Sequence, residues 1–242
     1  MFLFDLVQGG ELYNLIISQD RLPNSHAVFY ASCLLEAFSY LHDRHICYRD
    51  LKPENVLIDA QGYCKLADMG FAKFVLDKTF TFCGTPEYIA PEIILSKGHN
   101  QDVDCWSFGV LIYEMLVGVS PFYDERSMDQ TSLFKRIVKA KYKAPSVVND
   151  YAKDLIEHLL ILNPQKRYGF FRDDRIRAHD WFVGENKDYL ADVLEQKVVA
   201  PWVPDIRDAT DGSNFDDFSD LENMRQNHFH LSNDEQMLFK DF

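Results

Sequence analysis

Tyr48-Arg49-Asp50-Leu51-Lys52-Pro53-Glu54-Asn55, followed by Asp68-Met69-Gly70, is the densest polar cluster in a chain of 242 residues. Its residue types suit phosphoryl transfer. A carboxylate such as Asp50 accepts a hydroxyl proton and orients a nucleophile. Lys52 supplies a point charge for a phosphate in transit. Asn55 and Asp68 are hard oxygen donors of the kind Mg²⁺ takes, with waters and phosphates completing its shell. Gly70 permits the tight turn that brings the two loops together. Any one of these residues alone reads as an ordinary surface polar group; the ordered set does not.

Around this cluster the apolar pattern outlines the fold. Met1 to Val7 predicts a strand, turned by Gly9-Gly10, and Gly10 to Ile17 predicts a short helix. Asn24 is placed to cap a helix whose apolar positions Val28, Ala31, Leu34, Leu35, Phe38 and Leu41 recur at helical spacing. Asn55-Val56-Leu57-Ile58 and Tyr63-Cys64-Lys65-Leu66-Ala67, separated by Asp59-Ala60-Gln61-Gly62, predict a hairpin. From Asp102 to Val117 the chain is apolar almost all round, which puts a helix at the centre of the domain. Asn149 to Leu162 predicts a further helix, closed by Pro164. The fold class is mostly α, an α+β arrangement of helices with small β-hairpins that carry the polar motifs.

Composition sets the limits. The net charge of −13 argues against nucleic acid or anionic membrane as the main partner, since both need a basic footprint. No stretch approaches the roughly 18 apolar residues of a membrane-spanning helix. Five cysteines, scattered and odd in number, fit reduced thiols better than a disulfide framework or a zinc site. Cys83 reads as a small packed residue before it reads as a reactive thiol. Residues 201–242 carry −7 of the charge and are rich in Asp, Asn and Ser, which reads as an extended tail.

The polar cluster resembles the catalytic loop and metal-binding motif of eukaryotic protein kinases. Cys83-Gly84-Thr85-Pro86-Glu87-Tyr88-Ile89-Ala90-Pro91-Glu92 resembles the end of their activation segment. Asp102-Val103-Asp104-Cys105-Trp106-Ser107-Phe108-Gly109 is similar to the start of their central helix. The catalytic-loop lysine marks the serine/threonine class. Ser213-Asn214-Phe215-Asp216-Asp217-Phe218 and Phe239-Lys240-Asp241-Phe242 resemble the tail of the AGC group. Thr81-Phe82-Cys83-Gly84 and that ending point to the cyclic-AMP and cyclic-GMP-dependent kinases.

What the resemblance implies runs residue by residue. Asp50 would be the catalytic aspartate, Lys52 the catalytic-loop lysine, and Thr85 the threonine that contacts both. Asn55 and Asp68 would hold Mg²⁺. Asp5 and Val7 would offer backbone to the adenine of ATP, with Leu57 and Ala67 under it and Phe215 beside it. Thr81 would be the activation-loop phosphosite, met by Arg49 and Lys73; a phosphothreonine adds about −1.5 to −2 charge, enough to order a loop. Glu11, Glu54 and Glu114 would read arginines ahead of the phosphorylated residue, since guanidinium forks pair bidentately with carboxylates. Asp104 would hold the catalytic loop, and Glu92 with Arg167 would form a buried ion pair.

The chain also departs from the pattern. Met69 replaces a phenylalanine and should fill the same apolar slot. Phe218 stands in place of a tyrosine, and Cys105 in place of an aromatic. No G-x-G-x-x-G and no strand with a nucleotide-anchoring lysine occur, so the expected division is a hinge remnant at 1–8, a large lobe at 9–182 and a tail at 183–242. On this reading the small lobe was truncated, spliced out or missed in reading the gene, and Phe239 and Phe242 have lost their docking pocket. Two functions follow: a serine/threonine kinase for arginine-bearing proteins, with this chain alone inactive, or a non-catalytic binding module built from a kinase large lobe. A cyclic-nucleotide-binding regulatory subunit or upstream domain is the expected partner, and the expected location is cytoplasmic, with nuclear access.

Overall fold

The computed structural model describes residues 5–169, 174–184 and 186–215. Among the described residues it has eight α-helices and two small antiparallel sheets. The helices are α1 (Leu12–Ser18), α2 (Asn24–His42), α3 (Pro91–Ile94), α4 (Asp102–Val117), α5 (Gln130–Ile137), α6 (Asp150–Leu159), α7 (Asp180–Val183) and α8 (Tyr189–Leu194). The strands are β1 (Ile46–Cys47), β2 (Val56–Ile58), β3 (Cys64–Leu66) and β4 (Lys73–Phe74).

Helix α4 is the axis. Every residue in it except Glu114 and Val117 is buried, as its all-round apolar pattern predicts. It packs against α2 on one side and α6 on another. Gly109 makes the second contact possible, because a Cβ there would stand 2.8 Å from Leu159 Cβ. Phe38 of α2 meets Phe108 edge-on, and Trp106 stacks on Phe122 at 5.6 Å. Buried aromatic pairs of this kind add about 0.5–1.5 kcal/mol beyond their area.

The expected hairpin is present: β2 pairs with β3 in register Val56–Leu66, Leu57–Lys65, Ile58–Cys64. Asp59 makes its turn, its Oδ1 accepting from the N–H groups of Gln61 and Tyr63 at 2.9 Å each. The sheet β1–β4 joins the segment leading into Tyr48–Asn55 to the segment after Asp68.

Three expectations change. Asn24 does not cap α2; it is the helix's first residue, behind an extended Pro23. Inside the helix its side chain turns away from the first-turn N–H groups, and its Oδ1 accepts instead from Trp181 Nε1 and Asn149 Nδ2. Asn149 is itself the cap of α6, which ends at Leu159 rather than Leu162. The strand expected from Met1 to Val7 is not seen at Asp5–Val7, and Met1–Phe4 lie outside the described residues. The pairing begins later, where Gly9 N–H donates to Ile58 O and Glu11 bridges to Leu57.

The last described residues return to that point. Gln8 Nε2 donates to Asp208 O at 2.6 Å, and Asn214 Nδ2 donates to Gln8 O at 2.9 Å. Gly10, at φ +76, is required there, since a Cβ would come within 2.3 Å of Asn214 O. Phe218, Phe239 and Phe242 lie outside the described residues.

Candidate active site

One buried carboxylate organises the site. Asp104, in the first turn of α4, is wholly inaccessible to solvent. Its Oδ1 accepts from Arg49 N–H at 2.8 Å, and its Oδ2 accepts from Tyr48 N–H at 2.9 Å and bonds His42 Nε2 at 2.7 Å. The loop is thereby fastened to the central helix with Arg49 at φ +69. A non-glycine residue there costs of order 1–3 kcal/mol, which these bonds offset. Tyr48 then reaches forward, its hydroxyl donating to Ala67 O at 2.5 Å.

Asp50 is held from two sides. Thr85 Oγ1 donates to its Oδ1 at 3.1 Å, and Asn55 Nδ2 donates to its Oδ2 at 2.9 Å and to its backbone oxygen at 2.8 Å. Both acceptors need the Asn55 nitrogen, so the amide oxygen is turned to the other side, where a cation can use it. Ala67 N–H donates to Asn55 O, which brings Asp68 alongside. Asp68 is exposed at φ +50, its Oδ1 accepting from Gly70 N–H at 2.9 Å. Lys52 is half-buried. Among the described residues no three His, Cys, Asp or Glu side chains gather for a metal. Asn55 and Asp68 together offer two oxygens, the share a protein commonly gives to Mg²⁺ shared with phosphates.

The adenine-side expectations meet at one edge. Val7, Leu57, Ala67 and Phe215 are half-buried and Asp5 is exposed; Gln8, next to Val7, is bonded by Asn214, next to Phe215, and Glu11 bridges to Leu57. Met69, expected to fill an apolar slot, is exposed instead, because none of the described residues covers it.

The activation segment differs from expectation in one respect. Thr81 is exposed, and Lys73 Nζ donates to the buried Thr79 Oγ1 at 2.9 Å. Thr79 also exchanges two backbone hydrogen bonds with His99, at 2.8 and 2.9 Å. Arg49 Nε donates to Phe71 O at 2.7 Å, and its Nη1 is buried without a partner among the described residues. Cys83 is buried, and burial pushes its thiol up, as a packed residue requires.

A carboxylate cluster lies beside the site. Glu54, in the 3₁₀ turn Pro53–Asn55, and Glu114, on α4, are half-buried, and Tyr88 donates its hydroxyl to Glu114 Oε2. Burial raises Glu114 to about 7, against the Tyr88 hydrogen bond, and Glu87 and Glu54 push it the same way as burial. Glu87, which the sequence reading passed over, is also raised by burial and then by Glu54. Its only signal was a place inside the Cys83–Glu92 run. Glu11 is half-buried at the start of α1, a helix that packs on the Pro53–Asn55 turn.

The ion pair Glu92–Arg167 is bidentate, at 2.8 and 3.1 Å, and buried on both sides. Arg167 also donates to Asp102 O at 2.7 Å and to Ile161 O, and its guanidinium stacks over Trp106.

Residues 1–182 match the family model for the protein kinase domain. The chain belongs to the protein kinase family. Its helical body with small sheets is consistent with a kinase large lobe. It is similar to cAMP-dependent protein kinase catalytic subunit 3 of Drosophila melanogaster, 44% identical over 222 residues, covering 91% of this chain and 37% of that protein. It is 41% identical over 223 residues to cAMP-dependent protein kinase type 3 of Saccharomyces cerevisiae, covering 91% of this chain and 54% of that one. It is 40% identical over 222 residues to cAMP-dependent protein kinase catalytic subunit PRKX of Mus musculus, with 91% and 61% covered. The chain thus spans between about a third and three fifths of these relatives.

Proposed function

We propose that the chain is the large lobe and tail of a serine/threonine kinase that passes the ATP γ-phosphate to hydroxyls in arginine-bearing proteins. The observation that carries this reading is the fixed Asp50 carboxylate, held by Thr85 and Asn55 with Asp68 alongside. Asp50 accepts and aligns the substrate hydroxyl. Lys52 places positive charge beside the group in transit, and Asn55 and Asp68 hold Mg²⁺, which neutralises charge on the phosphates when bound. The hinge remnant at 1–8, large lobe at 9–182 and tail at 183–242 are the parts of this proposal. Thr81 is its phosphosite, with Arg49 keeping a buried donor unused among the described residues and Lys73 bonded to Thr79, two residues before it. The partner we propose is a cyclic-nucleotide-binding regulator, in keeping with relatives named cAMP-dependent catalytic subunits. No helix among the described residues is long and apolar enough to cross a membrane, and a cytoplasmic setting, with nuclear access, suits protein substrates.

The residues that cover the nucleotide in this family are not among these 242, so the chain by itself is expected to transfer phosphate at background rate. The test is transfer from Mg-ATP to an Arg-Arg-x-Ser peptide with a relative's small lobe fused ahead of Met1. Asp50→Asn should lower kcat by about 10²–10⁴. Peptide binding without transfer in the fused protein would leave only a binding module.

Arginine reading predicts a pH dependence. Glu114 titrates near 7 rather than 4.5, so between those values the folded chain holds a proton the unfolded chain has released. Stability from this group therefore declines as pH rises from 4.5 to about 7, while the carboxylate that a guanidinium needs appears. The peptide's Kd should fall as pH rises from about 6 to about 8, and Glu114→Gln should flatten that slope. Calorimetry at three pH values checks it.

A further inference from the structure

Cys47, Cys83 and Cys105 are buried, whereas Cys33 and Cys64 are half-buried. Cys33 lies on α2, Cys64 opens β3, and α2 packs directly on β3. One helical turn before Cys33, the Phe29 ring meets the Tyr63 ring edge-on at 4.9 Å. That contact sets the register, because Cys33 shares a helix face with Phe29 and Cys64 follows Tyr63. That packing makes the two thiols neighbours, and the Cys33 thiol adds to burial in raising Cys64. The Tyr30 hydroxyl is buried and without a partner among the described residues, and burial, then Cys64 and Cys33, raise its pKa.

We propose that Cys33 and Cys64 are a modification site, closing to a reversible disulfide under peroxide and clipping α2 to the hairpin that leads into Asp68. Burial, and then the adjacent Cys33 thiol, push the Cys64 thiol up, which makes Cys64 the poorer first nucleophile and the resolving partner. Cys33 sulfur attacks a peroxide oxygen, the O–O bond breaks, and a sulfenic acid and one water result. Cys64 sulfur then attacks the sulfenic sulfur. The S–O bond breaks, the S–S bond forms, and the departing hydroxide leaves as water with the Cys64 proton. Two thiols are oxidised and one peroxide is reduced.

The experiment treats the chain with hydrogen peroxide, alkylates it under denaturing conditions, and maps the digest by mass spectrometry. The expected result is a Cys33–Cys64 cross-linked peptide, two hydrogens lighter than its parts and reversed by dithiothreitol, with Cys47, Cys83 and Cys105 alkylated. Oxidised wild-type chain should gain roughly 5 °C in Tm, because the cross-link restricts the unfolded chain. Cys33→Ser and Cys64→Ser, checked for folding by circular dichroism, should show neither cross-link nor gain. Two free thiols after peroxide, over-oxidised Cys33 without a cross-link, or a disulfide to another cysteine would each overturn the proposal. The wild-type map decides even where a variant folds poorly.

Discussion

Asp104→Ala is expected to destabilise the fold by about 3–5 kcal/mol, read from urea denaturation, with kcat lost in the lobe-completed protein as well. Three donors depend on this one carboxylate: His42, Tyr48 N–H and Arg49 N–H. Alanine leaves the Tyr48 and Arg49 N–H groups unpaired in the core and takes one bond from His42, and each buried unpaired group costs about 1–3 kcal/mol. The strained backbone at Arg49 also loses the bond that opposes its relaxation, so Asp50 loses its bearing. Asp104→Asn keeps the volume and one acceptor, and its cost should fall between that of alanine and zero. A loss under about 1 kcal/mol for alanine would show that the loop is held by something else.

Arg167→Ala should cost a similar amount, about 3–5 kcal/mol, because it strands Glu92 as a buried charge. The double replacement Glu92→Met with Arg167→Met should recover more than half of that loss, since well-packed apolar pairs often match a buried ion pair. Recovery should stop short of wild type. Arg167 also donates to Asp102 O and Ile161 O, and methionine satisfies neither carbonyl. Equal losses in the single and double variants would mean that these carbonyl bonds, not the ion pair, dominate.

Much of this was legible because it is local. The Tyr48–Asn55 loop is contiguous, the hairpin carries its own turn at Asp59, and α4 announces its burial by being apolar almost all round. The parts that escaped depend on residues far apart. His42 meets Asp104 across 62 positions, and nothing local to either marks the pair. Asn24 has the right chemistry for a cap, yet Trp181 and Asn149, far along the chain, claim its oxygen. Glu87 joins Glu54 and Glu114 only because the segment folds back over the loop, which no spacing reveals. Lys73 bonds Thr79 rather than Thr81 for a similar reason: the Thr79–His99 pairing turns the first threonine inward and the second out.

The contact between Asn214 and Gln8 has a bearing on how the protein is made. The two residues are 206 positions apart. A ribosome adding about 5–20 residues per second delivers Asn214 on the order of ten to forty seconds after Gln8. The core helices and the Tyr48–Asn55 loop are all synthesised within that interval, and the Gly10 crossing closes only after them. Among the described residues the edge at Gly9 is thus completed after the core helices, and a chaperone has longer access to that edge than to the core.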